Sequence, residues 1–264
     1  DAARVFDGYG WGYYTREWAD ALYPGYSDAW GSLTGAIGML YEQGRTIGAP
    51  LERESGEVVS YRETVHGQAA ASLANLKTFA ANRAEILRDY VAHRRASCEA
   101  VPGPGKGAYL VVPSDDVEVD ARLLRALLSQ GIEVFEASEA FEAADVTGPL
   151  GEIEPSRAFP AGTWIVPAAQ PQGAMMRAYL EFDPRLDADF LQKERESIER
   201  GRGSKVYDVT AWCLGRQLGV NGYWASTPSV AQSPAGQLRA RSGPVGETSG
   251  AYAWVVDGGD RRSL

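Results

Sequence analysis

Few side chains in this sequence have both the type and the spacing for chemistry. Glu42 closes the apolar run Gly35-Ala-Ile-Gly-Met-Leu-Tyr-Glu42, which has the length of a buried strand. A carboxylate at the end of such a strand loses hydration and becomes a stronger base, suited to taking a proton from water. The same spacing fits an exposed strand end paired with Arg45, and the residues alone leave both readings open. Tyr23 and Asp28 precede it on a loop where Pro24 and Gly25 set a turn that could present a phenol to a ligand. Aromatic residues on such a loop also serve as packing.

Other motifs fail on context. Cys213 sits in Thr-Ala-Trp-Cys-Leu without a Gly-x-Cys-x-Gly elbow, so it reads as a core thiol within a helix. Gly103-Pro-Gly-Lys106 precedes a strand and lacks the Ser or Thr of a phosphate loop, which makes it a linker. His66 and His93 are the only histidines, and neither is followed three residues later by Glu or His. Two cysteines make neither a disulfide framework nor a structural zinc site by themselves.

Composition bounds the remaining classes. With 264 residues the chain has room for about two domains, and 44% apolar with 23% charged residues is the make-up of a folded globular protein. Lys and Arg number 26 against 35 Asp and Glu, and a formal charge of −9 argues against nucleic acid or anionic lipid as partner. The longest apolar stretches, Ala36 to Tyr41 and Trp164 to Ala169, fall short of the roughly 20 residues a membrane helix needs, so no membrane span is expected.

The elements that would position these residues follow from periodicity. The first forty residues are dense in Gly and aromatics and should pack against something large, as if the chain began inside a domain; no basic n-region or apolar h-region opens it. Ser60-Tyr-Arg-Glu63 has the spacing of a capping box, and a long helix should run from there to about Ala96, burying a face of Val65, Leu73, Leu76 and Leu87. Val101-Pro-Gly-Pro-Gly-Lys-Gly107 is a linker. Strands at 108–112 and 132–136 around a helix at 115–129 form a βαβ unit, hence a parallel sheet. Another strand is expected at 163–166, and helices at 173–181, 187–200 and 207–218. The Ser-, Pro- and Gly-rich residues 228–250 read as a second linker, and Ala251 to Asp257 as the first strand of a further domain. The resulting division is 1–100, 106–225, a linker at 226–250 and the start of another domain at 251–264.

Five stretches carry a family resemblance. Tyr13-Tyr-Thr-Arg-Glu17, Tyr23-Pro-Gly-Tyr-Ser-Asp28-Ala-Trp30 and Gly35 to Glu42 together resemble the last third of zinc carboxypeptidases of the carboxypeptidase A type. Phe159-Pro-Ala-Gly-Thr-Trp-Ile-Val-Pro-Ala-Ala-Gln-Pro171 and Phe190-Leu-Gln-Lys-Glu-Arg-Glu196 extend the likeness to large bacterial members whose peptidase domain is followed by class I glutamine amidotransferase-like domains. The fold class implied is α/β: the C-terminal portion of a mixed-sheet carboxypeptidase domain, then a flavodoxin-like parallel-sheet domain.

By this resemblance Glu42 is the general base, Tyr23 closes over the C-terminal residue of a peptide or protein substrate, and Asp28 lines the specificity pocket, hinting at basic C-terminal residues. The family's Glu-x-Arg is here Glu42-Gln-Gly-Arg45, so a role for Arg45 does not carry over. Zinc is the implied cofactor of the parent protein, but the His-x-x-Glu pair, the later His and the carboxylate-gripping arginines are not in this chain. Either the metal-binding part lies in a missing N-terminal portion of the peptidase domain, which is then itself an implied partner, or this is a degraded copy; in both cases this chain alone is expected neither to bind catalytic zinc nor to be active. The amidotransferase-like domain has no Cys after its strand at Val166 and so reads as noncatalytic. The family's setting implies a secreted or periplasmic protein. The rival reading is a noncatalytic interaction protein in which the α/β domain binds a partner or carbohydrate and the first segment only packs.

Overall fold

The computed structural model describes residues 1–13, 23–42, 48–204 and 213–235. Its first hundred residues are built around one helix. Ahead of it come α1 (Ala2–Tyr9), α2 (Ser27–Leu33) and a two-stranded hairpin of β1 (Leu51–Glu52) and β2 (Val58–Val59). Then α3 (Tyr61–Glu99) runs for 39 residues, about 58 Å at the rise of an α-helix. The capping box forms as its sequence demands: the Glu63 N–H donates to Ser60 Oγ at 3.2 Å and the Ser60 N–H donates to the Glu63 carboxylate at 2.7 Å. The Ser60 backbone, then its hydroxyl, hold the Glu63 carboxyl below the usual range.

The face that α3 buries is not the one its apolar periodicity marks. Thr64, Gly67, Ala71 and Ala74 are covered, whereas Val65, Leu73, Leu76 and Leu87 are exposed. Small side chains let neighbours approach the helix closely, and the residues beside that small-residue face are the ones engaged. Thr78 donates to the Asp1 carboxylate at 2.9 Å, and Asn75 donates to the Tyr41 hydroxyl at 2.9 Å.

The second half is an α/β unit. In chain order it comprises β3 (Ala108–Val112), α4 (Val117–Ser129), β4 (Phe135–Ala137), β5 (Phe141–Thr147), β6 (Ile153–Phe159) and β7 (Trp164–Pro167). It continues with α5 (Gly173–Leu180), α6 (Ala188–Glu199), α7 (Leu214–Leu218), β8 (Asn221–Ala225) and β9 (Gln232–Pro234). The sheet has the order β6-β5-β8-β3-β7-β4-β9, and every neighbouring pair is antiparallel.

The α/β class stands, but the parallel adjacency expected of a flavodoxin-like sheet does not. β3 and β4 do run the same way, yet β7 lies between them and pairs antiparallel with both. The reason is side-chain fit: Ile165 of β7 is in register with Leu110 on one side and Phe135 on the other. The β5–β6 hairpin has no counterpart in the sequence reading, because Phe-Glu-Ala-Ala-Asp-Val-Thr and Ile-Glu-Pro-Ser-Arg-Ala-Phe are too polar to announce strands. Both faces of the sheet are covered. Tyr109 and Val111 point into a core with Leu123, Leu127, Met176 and Trp224, while Ala108 and Leu110 point the other way to Val146, Phe159 and Ile165. That two-sided burial is why β3 reads as an unbroken apolar run.

Two boundaries also move. Of the helix expected at 207–218 only α7 is described, with Cys213 as its N-cap instead of an interior residue; 205–212 lie outside the described residues. Residues 232–234 of the expected linker form β9, while 236–264, including the strand expected at 251–257, lie outside the described residues. Among the described residues no helix is long and apolar enough to cross a membrane.

Candidate functional site

Tyr23 and Asp28 sit where the chain turns into α2. The Tyr23 ring folds back over Gly25, where a Cβ would come within 2.5 Å of it, and meets Tyr26 edge-on at 5.0 Å between centroids. The Tyr23 phenol also lies near Tyr179 on α5; burial first, and that neighbour second, push the Tyr179 phenol up. Asp28 occupies the first turn of α2, half-buried. The helix is fixed by buried Ala29 and by the Trp30 indole, which donates to Gln130 Oε1 at 2.7 Å.

Beyond α2 the backbone turns at Gly35, whose φ of +89 favours glycine, beside Tyr90 and His93 of α3. It then extends along α3 to the Tyr41–Asn75 bond. Gly38 lies so close to α2 that a Cβ there would be 2.1 Å from the Asp28 carbonyl oxygen. The structure therefore brings the Asp28 backbone against the segment that leads to Glu42, while Tyr23 turns toward α5.

Residues 35 and 36 belong to the turn after α2 and 37–42 form no strand among the described residues, and the buried strand expected there is corrected accordingly. Ile37 and Leu40 are 54% and 52% exposed, and Glu42 is exposed as well. Hydration of Glu42 is thus retained in this chain, and Arg45, the alternative ion-pair partner, lies outside the described residues. Among the described residues no strand pairs with this segment, and its long neighbour is a helix whose backbone groups are already satisfied.

The donors at hand do not fit a zinc site. His66 and His93 stand near opposite ends of α3, roughly 40 Å apart at 1.5 Å per residue, and the described residues hold no group of three or more His, Cys, Asp or Glu that could bind a metal.

In the α/β unit the turn after β7 is a structural junction. Gln170, fully buried, accepts from the Glu133 N–H at 2.7 Å and donates to the Pro167 and Glu133 carbonyls at 2.6 and 3.2 Å. Its own carbonyl accepts from Ser97 of α3 at 2.9 Å. Arg94 donates to Pro171 O at 3.1 Å and to Gln172 Oε1 at 2.6 Å, and Gln172 in turn donates to Gln130 O. This hub escaped the sequence reading; its signal was a glutamine between two prolines at the end of an apolar strand.

Cys213 is buried as expected of a core thiol. It donates to Leu180 O at 3.6 Å, the carbonyl that also accepts from the Trp224 indole at 2.9 Å, and burial pushes the thiol up, away from nucleophilic character. Comparison with protein-family models, with curated proteins and with solved structures returns no match.

Proposed function

We propose that this chain is part of a zinc metallocarboxypeptidase that hydrolyses C-terminal peptide bonds, with the metal ligands outside the chain. The observation that carries the reading is residues 37–42: an apolar segment, outside any helix or strand among the described residues, that ends on a carboxylate. Such a segment gains stability when it joins a sheet edge, which satisfies its backbone and covers Ile37 and Leu40. Joining would strip water from Glu42 and strengthen it as a base. Glu42 would then take a proton from the attacking water and pass it to the leaving amine. Tyr23 would close over the substrate's terminal residue, and Asp28, rigidly set on α2, would face the pocket for its side chain. The α/β unit serves as a noncatalytic module, since a saturated glutamine junction occupies the turn after β7 where a nucleophile would be needed.

The test is made on the polypeptide together with its metal-binding portion. Glu42→Gln should abolish release of a C-terminal amino acid and leave zinc content unchanged; retained release removes Glu42 from the chemistry. A reading frame without an upstream His-x-x-Glu and later His would favour the purely interacting alternative.

A further inference from the structure

Along α3, Val65, Leu76 and Leu87 recur at intervals of eleven residues, and so do Ala69, Ala80 and Val91. Leu73 and Ala84 fill the third place of the same repeat. Eleven residues make about 3.67 per turn, close to the 3.6 of a straight helix, so the stripe keeps to one line instead of spiralling. From Val65 to Val91 it extends roughly 39 Å. Leu76 is 65% and Leu87 63% exposed, because the neighbours of α3 engage its small-residue face.

The charge beside this stripe is one-sided. At 100° per residue, the half of the helix centred on the stripe carries Arg62, Lys77, Arg83, Arg88 and Arg95, together with Arg94, which is engaged by Pro171 and Gln172, and no carboxylate; Glu63, Glu85, Asp89 and Glu99 fall on the other half. None of these six cations has an ion pair among the described residues. In a chain of net charge −9 this is a local positive margin along an uncovered apolar line.

We infer that this face of α3 docks an amphipathic α-helix carrying an apolar stripe of matching period and carboxylates along its margins. A straight line of alternating large and small residues is the surface into which the ridge of a second helix fits. The unpaired cations specify the charge of that helix. A second copy of α3 would bring cations and no carboxylate to the contact. An anionic membrane would be repelled by a chain of net charge −9. The contact requires nothing of the chemistry assigned to Glu42.

The test titrates the full chain with two synthetic helical peptides of about 28 residues, a length matched to the stripe. Both carry a Leu–Ala stripe of eleven-residue period; one has Glu on its margins, the other Lys. By fluorescence anisotropy at low salt the Glu peptide should bind at least about 30-fold more tightly, the gap narrowing at high salt. Lys77→Glu with Arg88→Glu, both surface changes, should invert the preference. Leu76→Gln with Leu87→Gln should weaken binding by about 100-fold with the helical circular dichroism intact. Equal affinity for the two peptides, binding of neither, or indifference to these substitutions would overturn the inference. So would a sedimenting dimer, or capture by phosphatidylserine vesicles, that the Leu76 and Leu87 substitutions abolish.

Discussion

Asp120 shows how a single buried carboxylate can set a pH response. Its Oδ2 accepts from the Ser114 N–H at 2.7 Å and hydroxyl at 2.9 Å, while Oδ1 is buried without a partner among the described residues. Burial raises the carboxyl above its ordinary value, the Ser114 hydrogen bonds oppose that, and Asp116 adds to it. Because the folded state holds this proton more tightly than the unfolded chain, stability falls as pH rises from about 4, the unfolded carboxyl's value, through the folded one, and is level above it. Asp120→Asn should remove that slope: thermal unfolding across acid to neutral pH should show wild type losing Tm relative to the variant. Parallel Tm curves would mean the carboxyl titrates as in the unfolded chain. Cys213 makes the complementary case, since its raised thiol predicts slow alkylation in the folded protein while exposed Cys98 reacts freely.

At the scale of elements, the α3 cap is the most local device in the molecule. Ser60→Ala removes the acceptor of the Glu63 N–H and should cost about 1 kcal/mol, read as a lowered denaturant midpoint at unchanged m-value. This cap was legible because it depends on residues three apart. So were α4, whose Asp116 side chain accepts from the Val119 N–H at 3.1 Å, and α6, capped in the same way by Asp187. Pairing was much less legible. The run 35–42 has strand composition, but a strand is a relation between two segments, and the described residues supply no edge for it. The periodicity of α3 identified an apolar stripe correctly and its burial incorrectly, since periodicity marks a face and not the neighbour that covers it. β7 was recognised as a strand, yet its insertion between β3 and β4 rests on the cross-strand fit of Ile165 to Leu110 and Phe135, which no local window contains. Of the candidate site, the residue types at Tyr23, Asp28 and Glu42 were readable; the turning of Tyr23 toward Tyr179 was not.

Across the whole molecule, the helical first part and the α/β unit are joined at α2, whose Trp30 donates to Gln130, and at the end of α3. Ser97, Arg94, Gln170 and Gln172 knit that helix to the turn after β7. Arg94→Ala should therefore speed hydrogen exchange of the last turn of α3 at least about tenfold while leaving β3 amides unchanged, the signature of a joint opening below the global unfolding limit. A uniform effect on both would show that the two parts unfold as one. The position of β3 has a consequence for biosynthesis. Its partners on either side, β7 and β8, both emerge from the ribosome after it, and β8 ends at Ala225. Until then the central strand has at least one open edge, so nascent chains stalled before that point should be the aggregation-prone, chaperone-dependent species in its production.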